Sequence, residues 1–166
     1  MITKDQLAES MLRECDILLH LHSKLPPGAL DYQPSPEQRT TLWLLRYVAI
    51  CAIGGIRCMA EANWKLFGEY NARVKEMTGD EFPAAMERQK QEIADFFASV
   101  SEGTLETQEA PMPGGGVLPL GAAILNGPFK WLAAYKMQFF LYAKAAGATE
   151  LKTSNAWRGT DPKPPA

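Results

Sequence analysis

Histidine and cysteine are scarce in this chain: two histidines and three cysteines stand among 166 residues. His20 and His22 lie two apart in a helical pattern, where side chains diverge by about 200° and cannot hold one ion together. Cys15, Cys51 and Cys58 cannot all pair with one another, and each sits among apolar neighbours, the setting of reduced, buried thiols. Burial raises a thiol's pKa, so neither Cys51 nor Cys58 reads as a nucleophile. Charge of one sign is lacking too. Seventeen basic side chains against 19 acidic ones leave a net charge of -2, without the basic tracts that nucleic acid or an anionic membrane surface would need.

The most apolar run, Leu42 to Met59, is interrupted by Arg46, Gly54, Gly55 and Arg57, so it reads as a core helix and not as a membrane span. No alternating strand pattern of any length occurs, and no Gly-x-Ser-x-Gly, phosphate loop or dinucleotide fingerprint. The opening Met-Ile-Thr-Lys-Asp lacks the charged-then-apolar layout of a signal peptide, and a cytoplasmic setting is expected.

What is present is helical. With 46% hydrophobic residues the chain can bury one core, expected as a single domain over residues 1–151 followed by a polar, Pro-rich tail over 152–166. Thr3 and Gln6 form a capping box for a first helix whose broad apolar face carries Leu7, Met11, Cys15, Leu18, Leu19, Leu21, His22 and Leu25. It ends before Pro26-Pro27-Gly28. A second helix is expected from about Thr40 to Ala62, with a shorter amphipathic piece over Trp64 to Val74. Thr78-Gly-Asp-Glu81 announces a third helix reaching Val100, and Asn126-Gly127-Pro128 a fourth that stops at Gly147. Between them, Gly103 to Leu125 is a long Gly- and Pro-rich connection, either a lid over a site or a plain crossover, with Gly114-Gly-Gly116 as a turn. Four long helices with irregular links make an all-α, four-helix bundle.

Three segments, in this order and spacing, resemble the DinB/YfiT-like family over roughly Thr3 to Gly147. Leu30-Asp-Tyr-Gln-Pro-Ser-Pro-Glu-Gln-Arg-Thr-Thr-Leu-Trp-Leu-Leu-Arg-Tyr-Val-Ala49 resembles that family's passage into its second helix, and Met77-Thr-Gly-Asp-Glu-Phe82 resembles the start of its third. Tyr135-Lys-Met-Gln-Phe-Phe-Leu-Tyr-Ala-Lys144, closing at Ala146-Gly147, resembles its fourth. The resemblance implies a bundle with a three-histidine site for a divalent metal, used by some members for thiol-dependent transfer, isomerisation or hydrolysis. It places Tyr47, Trp131 and Tyr135 at the three ligand positions. Neutral tyrosine and tryptophan supply no strong donor, so the metal site is expected to be lost and no cofactor is expected.

Trp131, Tyr135, Gln138 and Tyr142, spaced four, three and four apart, share one helical stripe, either lining a pocket or filling the core. Lys130, Lys136 and Lys144 point elsewhere. On the second helix the stripe through Tyr47 contains Trp43, Cys51, Gly54 and Cys58, with Arg46 on a neighbouring edge. Glu14 sits on the apolar face of the first helix and needs a partner, for which Arg46 or a tyrosine hydroxyl is the natural choice. His22 shares that side. The candidate pocket is therefore Tyr47, Trp131, Tyr135 and Gln138, flanked by Glu14, His22 and Arg46. A substitute metal set from Glu14, His22 and Cys51 or Cys58 has no spacing motif behind it.

The expected function is a small-molecule binding or interaction module built on an aromatic cavity, not a working metalloenzyme. One alternative is a metal- or thiol-dependent transferase or hydrolase with a rebuilt site. Another is a structural homodimer joined through Met137 and Phe140 of the fourth helix.

Overall fold

The structure, a computed structural model, describes residues 2–163. Residues 164–166 of the expected tail lie outside the described residues. Helix α1 (Lys4–His22) starts as its sequence requires: the Thr3 hydroxyl accepts from the Gln6 backbone N–H and the Gln6 side chain accepts from that of Thr3. Leu7, Met11, Cys15, Leu18 and Leu21 are buried on its inner face.

The expected second helix is two helices, α2 (Thr41–Val48) and α3 (Cys51–Ala60), separated by a break at Ala49 and Ile50. Gln89 occupies the break from across the bundle. Its amide nitrogen donates to the Val48 carbonyl at 2.8 Å and its oxygen accepts from Ala52 and Ile53 N–H at 3.1 and 3.4 Å. A 1% exposed side chain thus satisfies backbone groups that the interrupted helix leaves unpaired. The segment spanning both helices is apolar enough in composition to cross a membrane, yet 72% of it is buried inside the fold.

Helix α4 (Leu66–Val74) follows, and α5 (Phe82–Ser99) begins slightly later than its sequence signal. The Glu81 carboxylate reaches back to the Thr78 N–H and hydroxyl, so one half of that capping box forms and the chain enters the helix after Glu81.

The long connection is largely structured. It holds α6 (Glu102–Thr107) and a small antiparallel hairpin, β1 (Glu109–Pro111) with β2 (Val117–Pro119), in which Ala110 pairs with Leu118. The turn works because Gly114, Gly115 and Gly116 all adopt positive φ, where other residues are strained. Strands this short leave no alternation in the sequence to see.

The fourth helix is longer than expected. It begins as α7 (Leu120–Ile124), widens into a π turn over Leu125–Phe129 and continues as α8 (Lys130–Ala145). Pro128 therefore lies inside a continuous rod and not in a first turn. Its ring and missing N–H would break an α-helix, and the wider turn takes both up. Gly147, at φ 117°, ends the rod as expected.

Helices α1, α2 with α3, α5, and α7 with α8 make the four-membered bundle, α1 packing on α5 and α8, and α2 on α8. Phe82, Phe139, Met11, Leu18, Leu45, Ile53 and Met86 fill it completely. After Leu151 the chain forms α9 (Thr153–Arg158), which lies on the outer side of α1. This explains why Ile17 is 1% exposed although it sits off the inner face, since Gly159 packs directly against it.

Candidate functional site

The residues matched to the second and fourth helices do meet. Tyr47 on α2 and Tyr135 on α8 pack edge to face with ring centroids 4.9 Å apart. Trp43, one turn before Tyr47, stacks on it at 5.6 Å with the planes 6° apart, and the Arg39 guanidinium covers the far side of the indole at 5.0 Å. Phe67 of α4 leans on Tyr47 from the side at 6.1 Å. It can do so because Gly54 leaves a notch, where an added Cβ would stand 3.3 Å from the rings of Phe67 and Tyr70.

Trp131 takes the neighbouring notch. A Cβ on Gly55 would strike its ring, and Pro128 closes the same contact. The indole is thus seated on α3. Gln138 donates to the Tyr142 hydroxyl at 2.8 Å, and Tyr142 packs edge-on against Tyr32 at 5.5 Å. Tyr47, Trp131, Tyr135 and Gln138 are each half-buried, while Tyr142 is buried. The first four are less deeply buried than aromatic side chains of the core such as Phe82 and Phe139, which are 0% exposed.

A cavity of about 390 Å³ opens beside Tyr47 between α2 and α4, lined by Trp43, Arg46, Tyr47, Asn71, Val74 and Lys75. Arg46 lines this cavity. Its Nε donates to the Met77 carbonyl at 2.8 Å, which fixes the guanidinium. The hairpin is placed elsewhere, against α3, α6 and α7, with Gln108 donating to the Ala60 carbonyl. It lines no part of this cavity, so a lid role over Tyr47 does not fit its position.

Glu14 and His22 are engaged in other contacts. Glu14 meets neither Arg46 nor a tyrosine; its partner is Lys136, whose Nζ lies 2.7 Å from Oε2. The approach is off the angle of a hydrogen bond, so the contact is ionic. Lys136 does point away from the aromatic stripe, but into the protein: its side chain is 3% exposed, between α1 and α8, with Trp157 of α9 over its head at 5.2 Å. His22 Nε2 donates to the Gly79 carbonyl at 3.0 Å and its ring lies 4.9 Å from Phe82. Phe140 is buried within the chain and Met137 packs partly buried against the same core.

Burial dominates the electrostatics. It pushes the Tyr47 phenol well above its ordinary value, with Cys51 and Tyr135 beside it adding to the effect. Burial likewise raises the Cys15, Cys51 and Cys58 thiols, which are all free. Among the described residues no group of three or more His, Cys, Asp and Glu side chains converges to hold a metal ion.

Residues that the sequence left unassigned complete the site: Asn71 and Lys75 on or just after α4, and Phe67. Only the amphipathic pattern over Trp64 to Val74 hinted that this piece would face the bundle.

No family model and no curated protein sequence matches this chain. A crystal structure of a DinB-like protein from Bacillus subtilis superposes on it with a TM-score of 0.69 at 16% identity, over 89% of this chain and 96% of that one. The fold is DinB-like. In this DinB-like frame α2 and α8 bring Tyr47 and Tyr135 into direct contact. At this identity the likeness establishes the fold, and the chemistry of the cleft rests on the side chains that line it.

Proposed function

We propose that this DinB-like bundle binds a small molecule in the aromatic cleft between α2 and α4, and that it does so without a divalent metal. The observation that carries the reading is a cavity of about 390 Å³ walled by Trp43 and Tyr47, with Tyr135 packed against Tyr47 behind it. Small-molecule sites are mostly apolar with a few placed polar groups, and Arg46, Asn71 and Lys75 supply those here. The donor set does not fit a metal. It offers an indole, two phenols, one of them held protonated by burial, and no imidazole or carboxylate converging with them.

The test is elemental analysis of protein purified without chelator or affinity-tag metal, with a nickel or zinc add-back arm, followed by a thermal-shift ligand screen. The expected result is no stoichiometric metal after dialysis in either arm, and at least one compound that stabilises the fold. A ligand at a hundredfold excess over its Kd adds about 2.7 kcal/mol, a shift such a screen reads easily. Near-stoichiometric metal surviving dialysis would overturn the metal-free reading and favour an enzyme with a rebuilt site.

A further inference from the structure

The cavity beside Tyr47 is unevenly charged. Arg46 and Lys75 line it and no carboxylate does, although the chain as a whole carries a net charge of -2. Among the described residues Arg46 has no ion-pair partner, and Lys75 touches only its neighbour Glu76 at 3.9 Å, with both side chains more than three-quarters exposed. Such an exposed contact leaves the ammonium available. Arg46 is fixed at Nε by the Met77 carbonyl, so the two terminal nitrogens of its fork are unspent. A fork end of that kind matches the two oxygens of a carboxylate.

The rest of the lining is apolar or weakly polar: the edges of Trp43 and Tyr47, Val74, and the Asn71 amide. Trp43 contacts both Arg39 and Tyr47, and Tyr47 is braced by Phe67 and Tyr135. A preorganised aromatic edge beside an unspent guanidinium selects a ligand with both characters.

Building on the small-molecule reading of the cleft, we propose that the cavity takes a small aromatic carboxylate. The carboxylate lies on Arg46 and Lys75 and the ring lies against Trp43, Tyr47 and Val74. Ring size follows from the volume, which suits one or two fused rings.

Isothermal titration calorimetry on the full chain tests this with benzoate, indole-3-carboxylate and naphthalene-2-carboxylate, each against its uncharged carboxamide, and with inorganic phosphate as a competitor. At least one acid is expected to bind about tenfold or more tightly than its amide, since a charge-assisted contact is the stronger kind. Lys75→Gln should weaken that acid several-fold, and Arg46→Lys should weaken it further. The exposed Lys75 variant keeps the test valid if the loss of the Met77 contact unfolds the Arg46 variant, a point checked by circular dichroism.

If the amides bind as tightly as the acids, or the variants leave the preference intact, the carboxylate assignment falls while the small-molecule reading stands. If phosphate displaces the acids at equal concentration, the aromatic part of the assignment falls. If no acid binds but other screened compounds do, and Tyr135→Leu abolishes their effect, the ligand class is wrong and the cleft remains. If nothing binds, both fall.

Discussion

Along α8 two stripes one residue apart have opposite surroundings. Leu132, Lys136, Phe139 and Ala143 are no more than 2% exposed, whereas Trp131, Tyr135 and Gln138 are half-buried. The stripe that contains a lysine is the deeper one, and the stripe of large aromatics is the shallower. Depth is set by what packs opposite. Helix α1 lies across the first stripe and brings Glu14 to Lys136, so a charge that would otherwise be costly to bury is neutralised in place. The second stripe meets α2 and α3, Tyr135 packing on Tyr47 and Trp131 filling the Gly55 notch. A polar character in the sequence therefore does not mark the functional face here.

The hardest blow to this comparison is at Lys136. Lys136→Ala strands the Glu14 carboxylate, and urea denaturation should show a loss of about 3 kcal/mol, the lower end for a broken buried pair because Glu14 is partly open to solvent. Replacing both residues with methionine should come within about 1 kcal/mol of the parent; a single variant no worse than a surface change would mean the pair does not organise the deep stripe. Next comes Gly55→Ala, whose new methyl meets the Trp131 ring. Overpacking of this kind costs about 1–3 kcal/mol, and a red-shifted Trp131 emission, assigned by difference against Trp131→Phe, should accompany it. An unchanged spectrum would place the indole elsewhere.

On the cleft face, Tyr135→Leu removes one aromatic pair and should cost only about 1 kcal/mol, yet abolish any ligand-induced stabilisation. A large stability loss with ligand response intact would reassign this stripe to the core.

The smallest effect concerns the cover over Lys136. Asn155 donates to His20 Nε2 at 2.9 Å, its own oxygen being occupied by the Lys152 N–H, so His20 accepts and is neutral in this arrangement. Burial, joined by Lys24 and opposed by Asp161, lowers the His20 pKa below 6.5, and burial against the opposing Gly79 and Asp80 contacts lowers that of His22. The unfolded chain then takes up protons first on acidification. Stability is full above the ordinary imidazole value and falls as pH drops from there through each folded value. Melting curves between about pH 7.5 and 5 should show this decline, reduced in His20→Gln, with faster amide exchange across α9. A flat profile would remove His20 from the clasp.

The sequence exposed the signals that act within a few residues. The Thr3 box, the inner face of α1 and the stop at Gly147 were all legible there. The α2–α3 break was not, because both sides of it are apolar and its plug, Gln89, is about forty residues away. The hairpin strands are three residues each, below any detectable alternation. Glu14 was legible as a misfit on an apolar face, but its partner Lys136 was read as pointing elsewhere, so the buried ion contact was missed. The cavity's Asn71 and Lys75 left no such trace.

Local sequence alone determined that this chain is helical, where α1 begins and α8 ends, and which aromatic residues share a stripe, because caps and periodicity are written within a turn or two. Only the tertiary structure decided which stripe is deep and which is shallow, who neutralises Glu14, and that two cations and two aromatic side chains line one cavity. Those outcomes depend on contacts between helices distant in sequence, and no local pattern encodes which neighbour arrives.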